Sequence, residues 1–403
     1  MSYLHGIEIK EGEKKAVIAT SETSVIALVG TASQGAVNEV KLITSLDAGI
    51  KEFGEDIAGF TIPSALEVIF GTTGAKVLVV NVLTKEKAEA LLEADGKMTR
   101  DESGEVATNI YKSSLPELVD YTSVIVSGIG FLENCGDTIG VKPNVIIVPG
   151  YSQLKPVVTK MISVAEKLNG FAVIDIAAAD VQAAVTARTG DLYSTASQAT
   201  VLCYPTLLYY NAHENINTLC GLSVFWAASK AIRDAEKGYW ISPSNSELKG
   251  VTGLSANVSS SLTDTAADTN VLNGAGIVTV FRKPGAGTRL WGNWTAAYPT
   301  EKSPDGMIAP RAVRMAIREA LVDATLTYID KTPTLIAIDM VTEDVNEFLR
   351  GLAGKDAIAE GECTFEEDKN TAAEIAQGHL TFRLAVKYQS SLERMTFEEV
   401  VEY

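Results

Sequence analysis

Short unbroken apolar runs recur along the first half of the chain, separated by stretches whose apolar positions return every three to four residues. Val25–Gly30, Val77–Leu83, Asn144–Val148 and Phe171–Ile176 have the length and character of strands buried on both faces. Leu46–Phe53, Ile62–Phe70 and Leu154–Leu168 read as helices. Gly54, Gly71 and Asn169-Gly170 stand just past their ends, where left-handed backbone is wanted. Residues 85–93 are helical by composition, and 95–114 form a polar loop or small insertion. Val201–Tyr210 reads as one more strand, broken by Pro205, and Leu222–Lys237 as a helix. Strand–helix–strand order with short joins implies a parallel sheet with helices on its faces. An α/β domain is therefore expected over 22–250.

A Ser/Thr/Asn/Asp/Gly-rich stretch at 251–276 reads as a loop-rich boundary. Beyond it, Ile277–Phe281 and Arg289–Trp294 look like strands around the turn Pro284-Gly285-Ala286-Gly287. Pro310–Tyr328 is a long helix with proline in its first turn, and Thr342–Leu352 a second helix. Cys363–Phe365 and His379–Lys387 read as strands, which makes 251–388 an α+β domain. Residues 1–21 and 389–403 read as arms. Ile7 and Ile9 share one face of an alternating stretch at 3–10, and Glu393–Tyr403, with Phe397 and Val400, reads as a polar terminal strand. No internal repeat is visible.

A chain of 403 residues exceeds one ordinary core, so several domains are expected. With 34 basic against 51 acidic residues, the net charge of −17 disfavours non-specific binding to nucleic acid or an anionic membrane. It fits solubility at high concentration, or electrostatic matching to a partner. Four scattered cysteines without C-x-x-C spacing are expected as buried free thiols. No signal segment and no membrane-spanning apolar window is evident, so folding in a reducing cytoplasm is expected.

Chemistry is hard to place. His5, His213 and His379 are far apart, without H-x-x-x-H spacing, and there is no G-x-S-x-G elbow. Gly71-Thr72-Thr73-Gly74-Ala75-Lys76 lacks the phosphate-loop spacing and precedes a strand instead of opening a helix. Its expected role is a helix-to-strand turn. The carboxylates Glu366-Glu367-Asp368 read as a solvated face. No catalytic residue, cofactor or metal is expected. A cytoplasmic α/β enzyme acting on a small molecule stays open as the alternative.

Gly238-Tyr239-Trp240-Ile241-Ser242-Pro243-Ser244-Asn245, followed by Gly250-Val251, resembles a signature of contractile-tail sheath proteins. Tyr3-Leu4-His5-Gly6-Ile7-Glu8-Ile9 looks like the start of P2-like phage tail sheaths and R-type pyocin sheaths. Pro143-Asn144-Val145-Ile146-Ile147-Val148-Pro149-Gly150 is similar to one of their strands, and so is Thr288-Arg289-Leu290-Trp291-Gly292-Asn293-Trp294-Thr295, where Trp294 replaces the usual arginine. The resemblance implies a structural subunit in a virion tail or tailocin particle, assembled in the host bacterial cytoplasm. Phage and tailocin origins are not separable from these residues. The implied partners are other copies in stacked six-fold rings, the tail tube protein, and the baseplate and tail terminator. The implied work is contraction that drives the tube through a target envelope. The domain over 22–250 would be peripheral, and that over 251–388 would face the tube.

Two features of the residues bear on that reading. An isolated alternating strand at each terminus has main-chain groups in need of partners, found either in its own chain or by strand addition to another subunit. Such pairing would tolerate rotating bodies if linkers near 11–21 and 388–393 flex. Ile7, Ile9, Phe397 and Val400 are the candidate arm residues. Arg311, Arg314 and Arg318 fall at i, i+3 and i+7 on one helix face. That face is either solvated and paired to nearby acids such as Glu319, or a dock for an acidic tube. The resemblance, which places a helix of this domain against the tube, points to the latter.

Overall fold

The structure, a computed structural model, describes residues 24–57, 59–84, 121–283, 285 and 287–401. Ile7, Ile9, and the expected helix and loop at 85–93 and 95–114 lie outside them. Six parallel strands make the middle of the largest sheet: β1 (Val25–Gly30), β3 (Lys76–Asn81), β4 (Val145–Ile147), β5 (Phe171–Asp175), β6 (Thr200–Cys203) and β10 (Ile277–Arg282). Two antiparallel strands close its ends, β2 (Val40–Ile43) and β11 (Thr288–Trp291), giving the order β11-β10-β6-β5-β4-β1-β3-β2.

The apolar runs work because both sheet faces are covered. Along β1, Ile26 and Leu28 enter one core, with Phe53, Ile62 and Trp226, while Ala27 and Val29 enter the other, with Ile125, Ile129 and Met161. Helices Thr61–Phe70 and Leu222–Lys237 build the first layer; Tyr121–Gly130 and Lys155–Lys167 build the second. Trp226 is fully buried, its ring edge-on to Phe171 at 5.7 Å. Burial of each such side chain contributes roughly 1.5–3 kcal/mol.

Helix Leu222–Lys237 is pinned at both ends by polar groups. At its start, Asp175 accepts from the Ser223 amide at 2.8 Å and the Ser223 hydroxyl at 2.5 Å. Desolvation pushes the Asp175 carboxyl up to about 6, and the two Ser223 bonds pull it back toward ionisation. Gly221 leaves room for that carboxylate, since a Cβ there would sit 2.1 Å from Asp175 Oδ2. Near its end, Lys230 and Asp234 form a buried ion pair, and Asp234 also accepts from the hydroxyl of Ser24.

Several elements differ from the sequence expectation. Val201–Tyr210 is not one strand. Its first part is β6 in the large sheet, and its second is β7 (Leu207–Asn211), the middle of a three-stranded sheet with β8 (Ile216–Cys220) and β9 (Val251–Leu254). An apolar run is blind to which sheet receives each half. The stretch 251–276 is not only loop: it holds β9 and helix Asp268–Gly274. The helix expected at Thr342 begins at Leu335, where the Thr334 hydroxyl caps the Ala337 amide, and ends at Gly354. The C-terminal strands are β12 (Ile358–Phe365) and β13 (Phe382–Tyr388).

The described chain forms two compact units, one of 24–315 with 390–401 and one of 316–389. The first runs past residue 251 because β10 and β11 extend the large sheet. The division falls inside helix Ile308–Thr325.

The sheath-like signature has a structural task. Asn245 N donates to Leu290 O at 2.6 Å, Leu290 N to Ser246 O at 2.9 Å, and Leu248 N to Thr288 O at 2.8 Å. The segment therefore lies along the outer edge of β11 and covers it. Gly238 (φ +97°) makes the turn into this segment, with the Trp240 ring 2.4 Å from where its Cβ would stand.

Asp56 ties the loop after the first helix to β7. Its carboxylate accepts from the Tyr209 hydroxyl and from Asn211 Nδ2, the latter at 2.8 Å. Desolvation, joined by the like charges of Glu67 and Glu214, pushes it up to about 7. The folded pKa lies above the unfolded one, so the folded state holds more protons between them. Asp56 thus contributes stability that is complete below about pH 4 and is lost as pH rises through about 7. Asp56→Asn should flatten this decline, melting at higher temperature than wild type at pH 8 but not at pH 5. Parallel Tm–pH curves for the two proteins would contradict it.

Candidate inter-subunit surface

β12 and β13 pair only with each other among the described residues, antiparallel from Phe365–Phe382 to Ile358–Tyr388. The outer edge of β12 is capped at one residue by a side chain. Asn346, on helix Leu335–Gly354, accepts from Cys363 N at 2.8 Å and donates to Cys363 O at 2.9 Å, and Leu349 of the same helix is fully buried. Both outer edges of the ribbon lack a ladder partner among the described residues. Two strands alone are marginal, and open edges are sites for a further strand.

Residues 390–401 carry no secondary structure. The strand expected over Glu393–Tyr403 is therefore not formed among the described residues, because a strand needs a ladder partner and 393–401 have none there. Its large apolar side chains are in solvent: Phe397 is 87% and Val400 79% exposed, and Leu392, Met395 and Val401 are exposed as well. Five such side chains in so short a stretch form a surface suited to burial against a partner.

The three arginines do fall on one face of helix Ile308–Thr325, but at different depths. Arg311 is buried, at 7% exposure. Arg314 is half-buried, with Asp305 at 2.5 Å and Gln198 at 2.9 Å. Arg318 is exposed. The whole first turn of the helix, Ile308 to Ala312, is buried. Helical spacing sets the angle of a side chain around the axis and says nothing of depth along it.

Sequence reasoning missed a second exposed set in the 316–389 unit: Leu326, Ile329, Leu335, Ile336 and Met340. The signal was present as apolar residues on both sides of Thr332-Pro333-Thr334. It went unread because Thr332-Pro333-Thr334 interrupts the helical periodicity that links the two sides.

No grouping of His, Cys, Asp or Glu suited to a metal ion occurs among the described residues. Cys135, Cys203, Cys220 and Cys363 are buried free thiols. His213 faces Glu55 at 3.9 Å and His379 faces Glu374 at 3.0 Å, two separate surface pairs. Asp56 and Asp175, the carboxyls most displaced upward, are both engaged in holding elements together.

Residues 128–296 match the family model described as phage tail sheath protein central domain, and residues 23–82 match that of tail sheath protein Gp18 domain III, N-terminal region. The chain is 31% identical to the tail sheath protein of Burkholderia phage BcepMu, covering 98% of this chain and 96% of that one. It is 29% identical to a putative prophage major tail sheath protein of Pseudomonas aeruginosa, over 95% and 92% of the two chains. It is 24% identical to the tail sheath protein of Escherichia phage P2, over 98% and 95%. Among solved structures, it resembles the contracted helical sheath of the anti-feeding prophage, with a TM-score of 0.68, 17% identity and 99% coverage of both chains. It likewise resembles the contracted sheath complex of the PVC extracellular contractile injection system, with a TM-score of 0.67, 16% identity and coverage of 99% and 98%.

Proposed function

Because the chain belongs to the tail sheath protein family, we propose that it polymerises as stacked six-fold rings around an inner tube and contracts to drive that tube through a target envelope. It is a structural subunit of a contractile injection machine and not an enzyme. In this reading its place is a virion tail or tailocin particle. Its partners are copies of itself, the tail tube protein, the baseplate and the tail terminator.

The observation that carries the reading is a matched pair of unfinished surfaces. Among the described residues, a two-stranded ribbon has edges without a strand partner, and an exposed, apolar terminal segment has no ladder of its own. Each lacks what the other offers. Strand addition between copies would supply main-chain hydrogen bonds along 390–401, with Phe397 and Val400 gaining cover. Ile7 and Ile9 would serve the N-terminal segment in the same way. A head-to-tail contact of this kind does not close on itself, so it propagates a helical polymer. Main-chain pairing also survives rotation of the bodies if the linker at 388–393 turns, while body-to-body contacts exchange. The work then comes from the free-energy difference between two lattices, and no cofactor enters.

Of Arg311, Arg314 and Arg318, the exposed Arg318 is the proposed tube contact, with the half-buried Arg314 beside it. Arg318 has the charge most open to an acidic tube, Arg314 is shared with Asp305, and Arg311 supports the helix from within.

Two outcomes are expected. Electron microscopy of the purified chain should show long hollow helical tubes; a discrete small oligomer would favour the α/β enzyme instead. Arg318→Glu should lower tube-templated assembly roughly tenfold with an unchanged circular dichroism spectrum. Undiminished co-assembly would remove Arg318 from the tube contact.

A further inference from the structure

The terminal segment is anchored at one point. The indole N–H of Trp294 donates to Glu393 Oε2 at 2.9 Å. Among the described residues 390–401, this is the hydrogen bond that ties the segment to the body.

The two partners differ in rigidity. Trp294 forms an antiparallel bridge with Met307, and the backbone on both sides is fixed: Ile308 N donates to Asn293 O at 2.8 Å and Thr295 N to Gly306 O at 2.9 Å. Ala296 N donates to Thr200 O at 2.8 Å, which ties the stretch to β6 of the large sheet. The indole also stacks on Tyr298, with ring centroids 4.5 Å apart. The direction of its N–H is therefore set by the body. Glu393, in contrast, is exposed on a segment without secondary structure.

We infer that Trp294 is a positioning residue for the C-terminal segment. It holds Glu393 so that residues 394–401 leave the body at one place and in one direction. The inference rests on the sheath reading, since only there does the segment have a strand to join. Tethering the root restricts the volume that the free end searches and raises its effective concentration at a fixed acceptor. It also removes part of the ordering entropy that strand addition would otherwise cost. The donor is neutral, so the bond should be far less sensitive to salt than an ion pair at this exposed site. One bond is also weak beside a whole ladder, so the root can swing once the end is docked.

Arg394 follows Glu393 and makes the root readable by trypsin. The test uses the unassembled full-length subunit and measures cleavage after Arg394 by mass spectrometry. Wild type should be protected at low salt and at about 1 M NaCl alike. Trp294→Phe keeps the ring and removes the donor, and Glu393→Ala removes the acceptor; each should be cut roughly five- to tenfold faster. Trp294→Arg offers a cationic donor, so protection should return at low salt and vanish at high salt. Equal cleavage of wild type, Trp294→Phe and Glu393→Ala would overturn the inference. So would tubes from both variants forming at the wild-type subunit concentration. If wild type itself forms no tubes, the sheath reading fails, whatever the proteolysis shows.

Discussion

A strand's outer row of N–H and C=O groups must be paired, covered or left to water, and that constraint sorts the surfaces of this chain. The large sheet deals with both of its edges. β2 is only four residues long and carries Lys41, a charge that discourages further pairing. At the other end the segment around Asn245–Leu248 lies along β11 and takes up its free groups. In the β12–β13 ribbon Asn346 takes up the free groups of Cys363 on the β12 edge, and among the described residues no strand pairs with either edge and residues 390–401 have no ladder. What the body completes within itself, the ribbon and the terminal segment would, in the proposed reading, leave to another chain.

This division suits a machine that must hold together while it changes shape. A body with two deep cores and a buried ion pair at Lys230–Asp234 resists deformation. Links made of main-chain hydrogen bonds do not depend on how two side-chain surfaces face one another. In the proposed reading they would persist when the bodies turn, and the energy difference between lattices would be left to the surfaces between the bodies. The net charge of −17 adds repulsion between like copies, so the proposed attachment by strand pairing and apolar cover would gain importance over bulk electrostatics.

Much of the body was legible in the residues. Buried strands such as Val25–Gly30 are unbroken apolar runs, and Leu222–Lys237 keeps helical spacing to a glycine stop. The helix at Tyr121–Gly130 was not read, because its small residues Ser123, Ser127, Gly128 and Gly130 mimic a loop; Gly128 is there because a Cβ would stand 2.4 Å from Val82. Pro205 marks a break between β6 and β7, but no local signal assigns the two halves to different sheets. The arginine face was read correctly in angle and not in depth, since burial of Arg311 depends on what covers the first turn of its helix. The contact between Trp294 and Glu393 joins residues 99 apart, and no periodicity reaches that far.

The central claim is that terminal segments complete the ribbon of a different copy. A cryo-electron microscopy map of the assembled polymer, at a resolution that traces the main chain from residue 385 to the C-terminus, addresses it directly. The account predicts continuous density in which residues 394–401 of one subunit run as a strand hydrogen-bonded to an outer edge of β12 or β13 in a neighbour. Density showing this segment folded onto its own subunit, with both ribbon edges unpaired in the polymer, would contradict it.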